Sequence, residues 1–322
     1  MTDFLRAREA GDSSPREYPP LPEPLIVPVY DNHTHLDPSS SSGTESPGEA
    51  PLDYREQLDR ASSVGVRGVV QVGTDLATSR WSADIASHEP RVLAAVALHP
   101  NDTPELMTAG VLADHLDGIA ELASRPRVRA IGETGLDFYR TADDAGRDAQ
   151  YRAFEAHIEL AKQNDLALQI HDRDAHREVF ETLKRVGAPE RTVFHCFSGD
   201  AEFAKHIAEE GWYLSFAGTV TFKNATSLRE ALEVIPRSRI LIESDAPYLT
   251  PMPFRGRPNA PYLIPYTLRA MATHLGSDPS MLAAQIVSNT ELVYGHWDDN
   301  TVEAPPGPFE DQGLRGGPAG QP

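Results

Sequence analysis

The sequence predicts an α/β protein built as a single (β/α)8 barrel of the TIM type. Three observations support this class. Apolar, β-favouring runs alternate eight times with helical patterns, 322 residues with 40% hydrophobic content can bury one large core, and chemically reactive residues follow several of the runs. Alternation of strand and helix is typical of parallel sheets covered by helices. We therefore expect one main domain over residues 28–297.

Each predicted strand is a short apolar run followed by residues that favour turns, and each predicted helix has apolar residues at helical spacing. The strands are predicted near residues 28–33, 67–73, 92–98, 128–133, 166–171, 191–195, 212–216 and 239–244. The helices are predicted near 52–64, 76–87, 110–124, 147–163, 175–186, 201–210, 225–235 and 264–276, and a last one near 279–292 packs outside the barrel.

Three polar segments are predicted to lie outside the packed core. Residues 1–27 are rich in Pro, Glu and Arg, residues 298–322 are rich in Pro and Gly, and residues 38–50 form a Ser-rich insert. Such compositions cannot bury enough apolar surface to order a chain. We expect disordered N- and C-terminal tails and a tolerated loop at 38–50, with a mobile lip over the site as the alternative for the insert.

Composition limits the cellular setting and the partners. A single cysteine, Cys196, excludes intramolecular disulfides and suits a reducing cytoplasm. No stretch approaches the roughly 20 apolar residues that span a bilayer, and the first residues lack the pattern of a signal peptide. We expect a cytoplasmic protein with no membrane partner and no obligate protein partner.

The charge balance excludes one class of nucleic-acid protein. The chain has 29 Lys and Arg against 48 Asp and Glu, a formal net charge of −19, which repels polyanions at long range. This argues against a protein that coats DNA without specificity. A nuclease that grips a strand end through bound cations remains compatible, because the cations reverse the local potential.

Six potential metal ligands follow predicted strands. His33 and His35 stand two residues apart, so both imidazoles project from one face of a strand and can reach one ion. The other four each follow an apolar run and precede turn residues: Glu133, His171, His195 and Asp245. Sites in parallel α/β folds gather at the carboxyl ends of strands. The constellation predicts a two-metal hydrolase.

These motifs make the chain similar to the TatD family of metal-dependent deoxyribonucleases, from Asp31 to about Tyr294. The shared motifs are Asp-Asn-His-Thr-His-Leu-Asp (31–37), Leu-His-Pro (98–100), Gly-Glu-Thr-Gly-Leu-Asp-Phe-Tyr (132–139), His-Asp-Arg-Asp-Ala (171–175), His-Cys-Phe-Ser-Gly (195–199), Glu-Ser-Asp-Ala-Pro-Tyr-Leu (243–249) and Arg-Gly-Arg-Pro-Asn-Ala-Pro (255–261). His-x-His alone is a weak signal, but the ordered set is highly specific.

The resemblance implies hydrolysis of DNA phosphodiester bonds, often from the 3′ end of single strands, with two divalent cations. It implies one cation on His33, His35 and Asp245, another on His171 and His195, and Glu133 bridging the two. Imidazole and carboxylate ligands without thiolate suit Zn²⁺, Mn²⁺ or Mg²⁺ and exclude a closed structural zinc site. Asp245 is also the candidate acceptor of a proton from the attacking water.

Substrate contacts are predicted in the loops after the strands, at His99, Arg173, Tyr248, Arg255 and Arg257. A guanidinium can clamp a nonbridging phosphate oxygen in a fork that lysine cannot copy. For Arg173 the alternative is a salt bridge to Asp172 or Asp174, and for His99 it is a turn histidine.

Two further sets have weaker support in the sequence. Phe138, Tyr139 and Phe222 are candidate stacking faces for unpaired bases, with core packing as the alternative. Asp137, Asp172 and Glu243 are candidates to orient ligand imidazoles, with helix caps or loop acids as the alternative.

Two other functions stay open. A cyclic-amide hydrolase of the amidohydrolase type uses the same barrel but usually bridges its metals with a carbamylated lysine, where this chain has Glu133 and no lysine nearby. A metal-stabilised scaffold without catalysis would need a closed ligand shell. The fold alone cannot choose among the three.

Overall fold

The fold is a nearly closed barrel of eight parallel strands. The structure is a computed structural model that describes residues 17–37 and 52–299. Each strand pairs in parallel with the next one along the chain, in the order β1 to β8. The strands are β1 (Val29–Thr34), β2 (Val66–Val72), β3 (Val92–Val96), β4 (Val128–Asp137), β5 (Ala167–Arg173), β6 (Thr192–Phe194), β7 (Tyr213–Phe216) and β8 (Ile240–Ile242).

Helices follow the strands as the alternating pattern predicts, and the predicted barrel is confirmed. They are α1 (Tyr54–Ser63), α2 (Leu76–His88), α3 (Thr103–Thr108), α4 (Leu112–Ala123), α5 (Asp144–Gln163), α6 (His176–Val186), α7 (Ala201–Glu209), α8 (Thr226–Val234), α9 (Ile264–His274) and α10 (Pro279–Tyr294). The short helix α3 was not predicted, because six residues are too few for amphipathic spacing to show.

The first and last strands are joined mainly by bonds beyond the regular ladder. The Asn32 side-chain amide donates to the carbonyl of Ile242 at 2.6 Å. Past the end of β8, the backbone N–H of Asp245 donates to the carbonyl of His33, near the end of β1, at 3.0 Å. These bonds hold the first motif, around His33, next to the last, around Asp245.

Two apolar layers hold the barrel. One lies between strands and helices, and the other fills the interior with alternate strand residues. Tyr294 and Trp297, which end and follow α10, complete the interior layer. The Trp297 ring stacks on Tyr30 with centroids 3.9 Å apart, and its indole N–H donates to the carbonyl of Arg91 at 3.1 Å. Aromatic rings therefore pack the end of the barrel where the strands begin.

Two irregularities turn key residues into the barrel. Tyr30 belongs to the interior layer and Asn32 hydrogen-bonds to Tyr294 within it, so strict alternation would send His33 to the outside. A register shift between Asp31 and Thr34 breaks the alternation. A second shift, between Ile131 and Thr134, does the same around Glu133. Such bulges re-aim side chains next to active sites.

The expected N-terminal tail differs from the structure over residues 17–27. This segment forms neither helix nor strand, and Tyr18, Leu25 and Val27 pack against the core. The hydroxyl of Tyr262 donates to the carbonyl of Pro19 at 2.5 Å. A proline-rich segment cannot form a helix, but its free carbonyls accept bonds from the barrel's side chains. The remaining tail and insert predictions concern residues 1–16, 38–50 and 300–322, outside the described residues.

Candidate metal centre

The six predicted ligands converge at the carboxyl ends of β1, β4, β5, β6 and β8. The Nε2 atoms of His33 and His35 lie 3.2 Å apart, as expected for residues i and i+2 on one face. Both rings are buried, and so are Glu133, His195 and Asp245, while His171 is partly exposed. The cluster therefore sits inside the barrel's rim and keeps one side open to solvent.

Glu133 lies between two groups of imidazoles. Its Oε1 is 2.5 Å from Nδ1 of His171 and 2.8 Å from Nε2 of His195. Its Oε2 faces the other way, 3.6 Å from Nε2 of His33 and 3.8 Å from Nε2 of His35. The two oxygens of one carboxylate thus face two separate sets of nitrogen atoms.

Asp245 completes the set around the first strand. Its Oδ1 lies 3.8 Å from Nε2 of His33 and 3.7 Å from Nε2 of His35. The residue has a φ of 50°, in the left-handed region that Asp and Asn tolerate better than most residues. This backbone turn directs the carboxylate back over the barrel's mouth.

Carboxylates behind the cluster orient two of its rings. Oε1 of Glu243 is 3.3 Å from Nδ1 of His195, and Oδ2 of Asp137 is 3.3 Å from Nε2 of His171. Both were candidates for this role in the sequence. Asp172 was another, but its Oδ2 lies 2.7 Å from Nδ1 of His176, so it holds a residue of α6 instead. A metal-binding imidazole is commonly oriented in this way through its other nitrogen.

Asp31 is a positioning residue that the sequence reasoning gave no role. Its buried carboxylate accepts the backbone N–H of His33 at 3.2 Å and both the N–H and the hydroxyl of Ser244, at 2.9 and 2.5 Å. One side chain therefore ties the first motif to the last. The only signal in the sequence was its place at the head of the first motif.

Gly135 allows β4 and β5 to approach closely enough for Glu133 to reach His171. It has a φ of +142°, and a Cβ atom there would lie 2.0 Å from the carbonyl oxygen of His171. A side chain at this position would push the two strands apart.

The pKa values of the inner residues describe an ion-pair network. Burial alone would raise the pKa of Glu133, but His195, His99 and the bond to His171 outweigh it and hold that pKa well below its usual range. Burial would lower the pKa of His171, yet its bonds to Asp137 and Glu133 raise it to about 9. The pKa of His195 is also raised, because Glu133 and Glu243 outweigh burial.

The residues near the first strand behave differently. Burial lowers the pKa of His33 to about 4, with a further contribution from His195, and burial also lowers the pKa of His35. Both rings are therefore neutral at physiological pH. Burial and the nearby carboxylates of Glu243 and Glu133 raise the pKa of Asp245 well above its usual value.

These shifts predict that metal binding strengthens as the pH rises. Ligation needs neutral imidazoles and ionised carboxylates. In the metal-free protein, His171 has a pKa of about 9, and the pKa of His195 is also raised, so both imidazoles hold protons that a metal must displace. Raising the pH toward that value removes competing protons, so we expect affinity to increase about tenfold per pH unit for each proton displaced. Calorimetric titration at pH 6.5 to 8.5, in two buffers of different ionisation enthalpy, measures the metal affinity and the number of protons released on binding. A constant affinity with no proton release would contradict the assignment.

His99 lies against the same cluster. Its Nε2 is 3.4 Å from Oε1 of Glu133 and 3.3 Å from Nδ1 of His171. Its Nδ1 accepts the backbone N–H of Asn101 at 3.1 Å, so the proton of the neutral ring resides on Nε2. The ring therefore presents an N–H donor to the site, although the three side chains are close enough to surround a cation.

The other predicted substrate contacts surround the mouth. The Arg173 guanidinium lies 4.1 Å from the ring centroid of Tyr139, and no salt bridge to Asp172 or Asp174 is found among the described residues. Tyr248 is 45% exposed, with its ring 6.1 Å from that of His35. Arg255 covers the ring of Phe222 at 4.4 Å.

Arg257 is placed differently from its neighbours. Its Nε donates to the carbonyl of Glu17 at 2.9 Å, and its guanidinium lies 5.7 Å from the ring of Phe254. These contacts join the loop after β8 to the extended N-terminal segment, and none of them involves the ligand cluster.

The donor set fits divalent cations. It combines imidazole nitrogens with carboxylate oxygens, and the trios His33, His195, Asp245 and His33, His35, Glu133 each place their ligand atoms within 4.8 Å of one another. Cys196 is the only thiol in the chain, and burial raises its pKa well above the usual value. Oxygen and nitrogen donors of this kind suit Zn²⁺, Mn²⁺ or Mg²⁺.

A family model described as TatD related DNase matches residues 30–295. The chain belongs to this family. The matched residues contain every strand of the barrel from Tyr30 onward and all six converging side chains. Family membership agrees with the resemblance that the motifs carry.

Relatives of the TatD family match nearly their whole length. A protein of Mycobacterium tuberculosis named uncharacterized metal-dependent hydrolase TatD is 41% identical over 83% of this chain and 98% of its own. The 3′-5′ ssDNA/RNA exonuclease TatD of Citrobacter rodentium is 36% identical over 76% of this chain and 92% of its own. This TatD-family chain is thus a metal-dependent hydrolase that acts on ester bonds and binds divalent metal.

Solved structures agree with the fold. YJJV, a TatD homologue from Escherichia coli k12, is 25% identical with a TM-score of 0.73, covering 84% of this chain and 100% of its own. A TatD-family hydrolase from Entamoeba histolytica has a TM-score of 0.71 at 21% identity, over 84% of this chain and 99% of its own, which shows the fold alone. Among the described residues, no helix has the length and hydropathy to cross a membrane.

Proposed function

We propose that this TatD-family hydrolase is an exonuclease that removes nucleotides from the 3′ ends of single-stranded DNA with two divalent cations. The observation that carries the proposal is the placement of Glu133. Its two oxygens face the His171 and His195 pair and the His33 and His35 pair. A shared carboxylate of this kind fixes the spacing of two cations.

Related proteins support the choice of substrate. Three relatives at 32 to 36% identity carry the name 3′-5′ ssDNA/RNA exonuclease TatD. We propose Zn²⁺, Mn²⁺ or Mg²⁺ as the ions, because the ligand atoms are nitrogen and oxygen only.

The bound cations would activate a water and neutralise charge on the phosphoryl oxygens. The chain's residues supply the remaining chemistry. Asp245 Oδ1 lies 3.8 Å from Nε2 of His33 and 3.7 Å from Nε2 of His35, a position from which the carboxylate can accept a proton from the attacking water. Glu133 faces His171 and His195 through Oε1 and His33 and His35 through Oε2, so it would bridge the two cations, whose charge would keep it ionised.

The rim residues hold the strand in this proposal. The Nε2–H of His99 donates to a nonbridging phosphate oxygen, while Arg173 and Arg255 supply positive charge at the mouth of this acidic protein. Tyr248 contacts the sugar or base beside the cation pair. Arg257 acts through the loop that it ties to Glu17 and does not reach the phosphate itself.

Neither alternative function has support in the structure. The four lysines of the sequence, Lys162, Lys184, Lys205 and Lys223, all lie outside the strands, so no lysine can bridge the cations in place of Glu133. The scaffold alternative would need a closed ligand shell, whereas His171 and His99 are partly exposed on the open side of the cluster.

The direct test uses metal-stripped protein and single-stranded DNA labelled at either the 3′ or the 5′ end. Mg²⁺, Mn²⁺ or Zn²⁺ is added back, beside the Glu133→Ala variant as a control for contaminating nucleases. Stepwise, metal-dependent shortening from the 3′ end that the variant lacks is the expected result. Absence of cleavage by fully metallated protein would overturn the proposal, and shortening from the 5′ end would reverse its polarity.

The role of His99 gives a separate prediction. As a hydrogen-bond donor and not a ligand, His99→Ala should keep its full metal content while kcat falls by about 10²- to 10³-fold, the usual effect of removing one donor to a developing charge. Elemental analysis and single-turnover kinetics measure the two quantities. His206→Ala, on α7, is the matched control and should change neither. Loss of one metal equivalent from His99→Ala would make His99 a ligand.

A further inference from the structure

Two exposed tyrosines stand at the mouth of the barrel. Among the described Phe, Tyr and Trp residues, only Tyr139 and Tyr248 are exposed, at 58% and 45%. Both follow strands that carry members of the ligand cluster. A single exposed ring is common on protein surfaces. Two exposed rings that both lie at the rim with the candidate ligands call for an explanation.

The strand order places the two rings on opposite sides of the mouth. Tyr139 follows β4 and is held by Arg173 at the end of β5, whereas Tyr248 follows β8, which neighbours β1. In an eight-stranded barrel these two positions are half a turn apart. The cluster includes His171 on β5, the strand that ends at Arg173 against the first ring, and His35, whose ring lies 6.1 Å from the second.

Tyr139 differs from the other two aromatic candidates of the sequence. Phe222 is only 3% exposed, and Arg255 covers its ring. Phe138 is partly buried, packed against Tyr151 and covered by Arg147 at 4.2 Å. Only Tyr139 keeps more than half of its surface accessible.

Arg173 holds the Tyr139 ring in a fixed orientation at the rim. Its guanidinium lies over the ring at 4.1 Å, within the range of a cation–π contact. The contact restricts one face of the ring and leaves the rest to solvent. A ring already held in place loses little entropy when a flat partner stacks on it, and the neighbouring positive charge attracts a phosphate.

We infer that Tyr139, held by Arg173, is a stacking subsite for one unpaired nucleobase of the bound strand. The inference rests on the proposed function, since it places the scissile phosphate at the cation pair between Tyr139 and Tyr248. Stacking needs a free base face, so the subsite favours single-stranded ends over paired ones. Base stacking is sequence-tolerant, because every base presents an aromatic face.

The test compares three strands and two variants. One strand is intact, one is abasic at the 3′-terminal nucleotide, and one is abasic at the next nucleotide. Tyr139→Ala removes the ring and Tyr139→Phe retains it, and metal analysis of both full-length proteins checks the site. We expect Tyr139→Ala to lower kcat/KM on the intact strand by roughly 5- to 150-fold, as for one stacked base, and to have no effect on one of the abasic strands. Tyr139→Phe should match the wild type.

A binding measurement separates failure of the subsite from failure of the nuclease. Strands with phosphorothioate linkages carry 2-aminopurine, whose fluorescence is quenched on stacking, at either of the two positions. Quenching by wild type and Tyr139→Phe but not by Tyr139→Ala supports the subsite even if no strand is cleaved. An equal loss of kcat/KM on all three strands, no loss on the intact strand, or identical quenching by all proteins would overturn it.

Discussion

Glu133→Ala is expected to lose at least one metal ion per chain and to reduce kcat by about 10³-fold or more. Among the described residues, Glu133 is the one carboxylate with contacts within 4.0 Å to both groups of imidazoles, at 2.5 and 2.8 Å on one side and 3.6 and 3.8 Å on the other. Charge stabilisation by a bound cation amounts to several kcal/mol in the transition state, and each 1.4 kcal/mol is about tenfold in rate.

The measurement combines elemental analysis with single-turnover cleavage at saturating metal. Glu133→Gln keeps the volume and one carbonyl oxygen but loses the charge, so it separates packing from electrostatics and should behave like Glu133→Ala. Glu230→Gln, on the exposed surface of α8, is the control and should retain metal and activity. Unchanged metal stoichiometry in both Glu133 variants would refute the bridging role.

The sequence predicted that the six candidate ligands would converge, because their local pattern repeats. Each apolar run ends in a polar residue followed by turn chemistry, and the carboxyl ends of parallel strands meet at one rim. The i, i+2 spacing predicted the approach of His33 to His35, and their Nε2 atoms lie 3.2 Å apart. These features depend only on strand geometry, which spacing reveals.

Spacing could not reveal how the strands bend. Regular alternation puts His33 on the opposite face from Asn32, and only the register shift between Asp31 and Thr34 brings both inward. The bond that Asp31 makes to Ser244, 213 residues later, helps to hold this irregular segment. Contacts between distant parts of the chain leave no periodic signal in a single sequence.

The sequence also could not predict which side chain each carboxylate contacts where several carboxylates lie near one histidine. Asp137, Asp172 and Glu243 all stood near ligands, but Asp172 faces α6 and pairs with His176. The direction of a carboxylate after a strand depends on the turn that follows, and Asp174, two residues later, has a φ of 55°. The chemical state of His99 likewise depends on the N–H of Asn101, which only the folded turn directs at Nδ1.

The negative net charge of the chain is compatible with the proposed DNA substrate because the rim carries positive groups. A net charge of −19 opposes approach of a polyanion, yet Arg173 and Arg255 stand at the mouth, over aromatic rings. Bound cations would add further positive charge on this side of the barrel. Such a protein should engage a strand end at its site without holding DNA along its surface, which suits an exonuclease better than a binding protein.

Asp245→Asn is expected to lower kcat by about 10²- to 10⁴-fold even at saturating metal, the usual contribution of a general base. The amide keeps the size of the side chain and tolerates the φ of 50° at this position, so the fold should persist. It also retains an oxygen toward His33 and His35, whose Nε2 atoms lie 3.8 and 3.7 Å from Oδ1 in the wild type. What it cannot do is accept the proton of the attacking water.

Steady-state rates across a metal titration separate ligation from proton transfer. If Asp245 serves only as a ligand, excess metal should restore wild-type kcat to Asp245→Asn, and that recovery would refute its role as proton acceptor. If it accepts the proton, kcat should stay low at every metal concentration, while Asp117→Asn on the exposed face of α4 should behave as wild type. The amide of Asn is far less basic than a carboxylate and cannot take up the proton of the attacking water, which makes the low plateau the expected result.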